Sequence, residues 1–224
     1  MRLGWVPLIA GICLGTMTLG TMATGAAAPA RHAKTSPRVS SYGQVYIMRG
    51  LLGPVLSAGL DTLAARLRAR GIDAPVAGYE SYASLAAEAV ARWRAGNHGP
   101  IVIIGHSLGA ISAMDMARML QAGHVPVSLV VTFGPIGDLQ APGNVARVVN
   151  YFQSKGYSKG RVLRGPGFHG SISNVDLQAS PDINHVNMVG VARLQAQVIA
   201  RVAGLVGAHA PAAVTTRSAA NRAN

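Results

Sequence analysis

Gly99-Pro-Ile-Val-Ile-Ile-Gly-His-Ser-Leu-Gly109 reads as a strand, a sharp turn and the start of a helix. Residues 101–104 are an unbroken β-branched run, the pattern of a strand buried on both faces. Gly105-His106-Ser107-Leu108-Gly109 follows as a G-x-S-x-G pentapeptide. Residues 110–120 are rich in Ala, Met and Leu, a good helix, and Gly123 is its stop. In this setting the turn is so tight that residues 105 and 109 must both be small. Ser107 is then held in a strained conformation with its hydroxyl projecting from the sheet edge. The Leu108 amide, at the helix N-terminus, is free to donate to a developing oxyanion. A Gly-Ser-Gly turn also occurs without chemistry, so the rest of the chain is asked whether it supplies what a nucleophilic serine needs.

Working outward, the 224 residues are enough for one domain with a substantial core. Arg2 precedes an uncharged stretch, 3–30, with an apolar segment at 6–17 and small-x-small patterns in Ala26-Ala-Ala-Pro-Ala30. This is the outline of a secretory signal peptide, with an uncleaved membrane anchor as the alternative. Export to the periplasm or beyond is expected in either case. The single cysteine, Cys13, lies inside that segment, so a mature chain would contain no disulfide. Residues 31–43 read as a linker, 44–206 as the domain and 207–224 as a disordered tail.

The net charge is +12, and without Arg2 the remaining 19 basic and 8 acidic residues leave +11. The basic residues are scattered, with no aromatic-rich basic motif, which argues against nucleic acid. Solubility or adhesion to an anionic cell envelope is the simpler account.

The order of elements is strand at 44–48, helix through Leu60, Leu63, Ala64 and Leu67, weak strand at 74–77, and helix at 82–94. After the Ser107 helix come strands at 125–133 and 146–152 and a loop-rich stretch, 153–182, with one strand at 161–163. A closing helix carries Val191, Leu194, Val198, Val202 and Leu205 on one face. This alternation predicts an α/β fold, a single domain with a mostly parallel sheet and helices on both faces.

A serine hydroxyl needs a base, and the base needs an orienting partner. Of seven histidines, His185, just before the closing helix, is the candidate base, with His169 as its competitor; His106 supports the turn. Of eight acids, Asp138, beyond the strand that follows the Ser107 helix, is the first candidate for the third member. Asp176 is next, and Asp182 reads as a cap. The histidines show no ligand spacing, so neither metal nor cofactor is expected.

The G-H-S-L-G turn on a strand, the Gly-bearing loop Arg49-Gly50-Leu51-Leu52-Gly53 after an early strand, and His185 before the final helix together resemble the α/β-hydrolase superfamily in its lipase/esterase form. The resemblance spans about residues 44–206 and lacks any insertion long enough for a lid. It implies a serine hydrolase acting on small-molecule carboxylic esters or thioesters, with a second oxyanion amide from Leu51 or Leu52. It also implies a carboxylate directly after one of the two strands following the nucleophile. Those positions here hold Gly134 and Gln153. The alternatives are a hydrolase fold that only binds a ligand, and an acyltransferase using the same serine.

Overall fold

The computed structural model describes residues 43–207. The expected signal peptide, Cys13, the linker up to residue 42 and the tail beyond 207 lie outside the described residues.

Six strands form one sheet in the order β2-β1-β3-β4-β6-β8, every neighbouring pair parallel. They are β1 (Gln44–Arg49), β2 (Val76–Gly78), β3 (Ile101–His106), β4 (Leu129–Phe133), β6 (Arg147–Phe152) and β8 (Ser171–Asp176). Two short strands, β5 (Leu139–Ala141) and β7 (Val162–Arg164), pair with each other outside that sheet. The helices are α1 (Pro54–Arg68), α2 (Tyr82–Arg94), α3 (Leu108–Ala122) and α4 (Ala192–Val206).

The uninterrupted apolar run of β3 has a simple cause. Val102 and Ile104 pack with Leu60, Leu63 and Leu67 of α1 and Val198 and Val202 of α4. Ile101 and Ile103 point the other way, onto Ala86 and Ala89 of α2 and Met114 and Leu120 of α3. All four are fully buried, so period-2 alternation selects which core a residue enters rather than core against solvent.

The registers align the carboxyl ends of the strands. Met48 pairs with Gly105, His106 with Phe133, Phe133 with Tyr151, and Phe152 with Asp176. The loops after β1, β3, β4, β6 and β8 therefore leave from one edge, where ligand sites of open parallel sheets form. A buried amide ladder ties three of these strands together near that edge. Thr132 Oγ1 donates to Asn150 Oδ1 at 2.8 Å, and Asn150 Nδ2 donates to Asn174 Oδ1 at 2.9 Å.

Three expectations change. The strand foreseen at 125–133 is regular only from Leu129, with Val127 in an isolated bridge to Val145. β5 lies in a stretch read as loop. Most of all, 153–182 contains the full-length strand β8, whose Ser-Ile-Ser-Asn-Val-Asp sequence is partly exposed because it forms the sheet's edge. Between β4 and β8 the insertions are extended rather than helical, and no lid domain is present among the described residues. No described helix is long and apolar enough to cross a membrane.

Candidate active site

The turn after β3 has the geometry its sequence demands. Ser107 has φ 58° and ψ −120°, in the region that non-glycine residues rarely adopt. Its amide donates to Phe133 O at 2.9 Å, and its carbonyl accepts from the Ala110 amide at 2.9 Å, which together hold the turn. A Cβ on Gly105 would enter the Gly109 carbonyl, and one on Gly109 would enter the Met48 carbonyl of β1. The glycines thus let the first turn of α3 lie directly on the sheet.

His185 lies on the connection from β8 to α4. Asn184 Oδ1 accepts from the amides of Val186 (2.9 Å) and Asn187 (3.0 Å), and Asn187 Oδ1 accepts from the Asn184 amide (2.8 Å). This reciprocal clamp presents the imidazole to the serine. Nε2 is 3.0 Å from Ser107 Oγ, and Nδ1 is 2.6 Å from Ser158 Oγ. Partial burial pushes the imidazole below its ordinary pKa, so at neutral pH it is in its uncharged form, able to accept a proton.

His106 is wholly buried beneath that loop. Its Nε2 is 2.8 Å from the His185 carbonyl, which can only accept, so Nε2 carries the hydrogen. Nδ1 is then an acceptor for the Ser57 hydroxyl at 2.9 Å, and Ser57 Oγ in turn accepts from the Gly50 amide at 3.3 Å. Ser57 reaches inward because α1 breaks there, at φ −129° and ψ 24°. One neutral chain, Gly50–Ser57–His106–His185, thus joins the loop after β1 to the loop after β8. Burial holds His106 down to a pKa of about 4, which keeps the chain neutral.

The loop after β1 starts at Gly50, where a Cβ would lie 2.7 Å from Ser107 Cβ. Its base is fixed by a two-pronged ion pair from Arg49 to Asp61 of α1. Among the described residues neither the Leu51 nor the Leu108 amide has a hydrogen-bond partner. Both flank Ser107, one in sequence and one through Gly50.

The acids are elsewhere. Asp138 stands at the start of β5, which diverges from the main sheet, and its Oδ1 accepts from the Arg161 amide at 2.8 Å. It makes no bond to His185, which corrects the expectation that Asp138 orients the base. Asp176 Oδ1 accepts from the Ser154 (3.1 Å) and Gln178 (2.9 Å) amides. Asp182 uses its carbonyl to accept from Asn187 Nδ2 at 2.8 Å. His169 precedes β8, at the opposite end of the sheet from Ser107. Ser158 and Ser57 carried no sequence signal, since lone serines in a loop and in an apolar helix are common. No group of three His, Cys, Asp or Glu that could hold a metal occurs among the described residues.

A thioesterase domain model matches residues 52–147, a stretch that includes Ser107 and ends before Ser158 and His185. No curated protein matches the chain. Among solved structures, it is similar to a protein assigned to the α/β-hydrolase superfamily from Xanthomonas campestris pv. campestris (16% identity, 72% of this chain and 98% of that one, TM-score 0.43). It is also similar to RedJ, a thioesterase from the prodiginine biosynthetic pathway in Streptomyces coelicolor (13%, 79% and 90%, TM-score 0.49). A third is BorB, a type II thioesterase from the borrelidin biosynthetic cluster (10%, 73% and 92%, TM-score 0.46).

Proposed function

We propose that this chain is a serine hydrolase of the α/β-hydrolase type, that it is exported, and that it cleaves esters or thioesters with an apolar acyl group through an acyl-enzyme on Ser107. The observation that carries the chemistry is the 3.0 Å approach of His185 Nε2 to Ser107 Oγ on a positive-φ turn. Ser107 Oγ attacks the carbonyl carbon and its proton passes to Nε2. The oxyanion lies between the Leu51 and Leu108 amides, at the N-terminus of α3. His185 then gives the proton to the departing alcohol or thiol, and water repeats the sequence on the acyl-enzyme.

An apolar acyl group is supported by the rim. Leu51, Leu52, Val55, Tyr157 and Val186 are exposed, and all lie on the segments flanking Ser107 and His185. Tyr157 meets the His185 ring edge-on, 4.9 Å between centroids. A groove of about 390 Å³, lined by Val55, Leu56, Val186 and Val191 together with Asp182 and Asn187, continues from the residue after His185. Export is supported by the 1–30 sequence, and the +11 charge of the remainder suits an anionic envelope.

A fluorophosphonate should label the protein at Ser107 and not label Ser107→Ala. A folded wild type that never reacts would refute the hydrolase reading. N-terminal sequencing of exported material should begin near Pro29 or Arg31, and Met1 in a membrane fraction would refute cleavage.

A further inference from the structure

We infer that Ser158 is the positioning residue behind His185, so that the imidazole works with a hydroxyl where a serine hydrolase ordinarily has a carboxylate. This rests on the reading of Ser107 and His185 as nucleophile and base. Ser158 Oγ lies 2.6 Å from His185 Nδ1, and Ser158 is almost wholly buried. For Nε2 to take the Ser107 proton, Nδ1 must carry the ring hydrogen and donate it to Ser158 Oγ.

The Ser158 loop is built to hold that position. It leaves the end of β6, the second strand of the sheet after the nucleophile. The Gln153 amide donates to the Ser158 carbonyl at 3.0 Å, closing the loop on itself. Gln153 Nε2 donates to the Ile183 carbonyl at 2.8 Å, binding it to the segment that carries His185. Beyond the serine, the Gly160 carbonyl accepts from Asn150 Nδ2 at 3.0 Å, and the Gly160 amide donates to Pro135 O at 3.0 Å. Gly134, with φ +57°, walls the other side: a Cβ there would lie 2.9 Å from His185 Nδ1 and 3.2 Å from Ser158 Oγ.

A hydroxyl differs from a carboxylate in two ways. A carboxylate only accepts, and so enforces the Nδ1–H tautomer; a hydroxyl can also donate to Nδ1, which permits the idle Nε2–H tautomer. A carboxylate also pairs with the imidazolium formed when Nε2 takes the proton, whereas a hydroxyl offers only a dipole. The titratable groups facing the ring are His106, 4.9 Å between centroids and neutral, and Tyr157. Among the described residues no carboxylate bonds to His185, so burial acts on it without an opposing charge.

The test uses the purified protein with two readouts: histidine ¹⁵N NMR across pH 4.5–8, and the rate of fluorophosphonate inactivation, in which Ser107 Oγ bonds to phosphorus, fluoride leaves and His185 takes the proton. In the wild type, Nδ1 of His185 should be protonated at pH 7, with the ring titrating below 6.5. Ser158→Ala should shift the Nδ1 resonance and slow inactivation about tenfold or more, and Ser158→Thr should restore both. Ser158→Asp should move the titration and the acid limb of the rate profile up together by about one pH unit or more. An Nδ1 resonance and titration unchanged in Ser158→Ala, with the fold intact, overturns the inference. A shifted resonance in a protein whose wild type does not react would uphold the Ser158–His185 bond while refuting the hydrolase reading.

Discussion

Acid should destabilise this protein through His106, by an amount set by burial. Burial lowers the pKa of the ring from 6.5 to about 4, against the opposing pull of the His185 carbonyl that accepts from Nε2–H, so the ring is uncharged in the fold and its Nδ1 is left to accept from Ser57. In the unfolded chain the same ring titrates at its ordinary value. Above pH 6.5 both states are neutral and the contribution is fully present. As pH falls from 6.5 toward 4 the unfolded chain takes up a proton that the fold refuses, and stability is lost at about 1.4 kcal/mol per pH unit. Below pH 4 both states are protonated and the loss levels off. The drop from 6.5 to about 4 gives a loss of about 3 kcal/mol, a sizeable share of the stability of an ordinary domain. Urea unfolding of wild type and His106→Gln should be compared at steps between pH 7.5 and 4. The variant has its own offset, so the comparison reads slopes: wild type should lose about 3 kcal/mol more than the variant between pH 7 and 4. His185, also shifted down, contributes equally to both proteins and cancels. Parallel curves would show that His106 is not held neutral, and the Gly50–Ser57–His106–His185 chain as described would be wrong.

Three further outcomes follow from the same geometry. Ser57→Ala leaves the Gly50 amide and His106 Nδ1 without their partner, and should cost about 2–4 kcal/mol in denaturant unfolding; a loss under half a kcal/mol would contradict the bonding. Gly50→Ala places a methyl 2.7 Å from Ser107 Cβ and 3.0 Å from the His106 carbonyl, so fluorophosphonate labelling should slow by about tenfold or more while the protein still folds. Asp138→Asn keeps an oxygen for the Arg161 amide, so turnover should stay within about twofold of wild type; a hundredfold loss would restore Asp138 to the base.

The parts of the fold legible in the sequence are those where both faces are buried or one stripe is. β3 announces itself because Ile101 to Ile104 fill two cores at once, and α1 because Leu60, Leu63, Ala64 and Leu67 face one. β8 is not legible for the converse reason. An edge strand needs few apolar side chains, and here Ile172 and Val175, turned to opposite cores, bracket Ser173 and Asn174, and the Asn174 side chain bonds to partners in other segments. The positions of Ser107 and His185 follow from chain order, because parallel strands deliver successive loops to one edge. The kink at Ser57 and its contact with His106 join residues 49 apart, and no local pattern encodes that.

The orienting group behind His185 was hidden because each place a carboxylate was sought is committed to another bond. Directly after β4, Gly134 can bear no side chain without entering the space between Nδ1 and Ser158 Oγ. Directly after β6, Gln153 spends its amide on the Ile183 carbonyl. At the end of β8, Asp176 accepts from the Ser154 amide, which anchors the loop rather than the imidazole, and hydrogen bonds from the Ser154 side chain, then from the Gln178 and Ser154 amides, hold its carboxyl below the usual range. Asp138 is carried off by β5 to the Arg161 amide, at the far end of the same loop. The carboxylates of Asp138 and Asp176 therefore grip the two ends of the segment 154–161, and Ser158 lies between those anchors. What the sequence offered as rival candidates for one role are two fixings of the loop that supplies a different residue. Removing either acceptor oxygen, as in Asp138→Ala or Asp176→Ala, should loosen Ser158 rather than strip His185 of a partner, and the effect on rate should fall well short of that of Ser158→Ala.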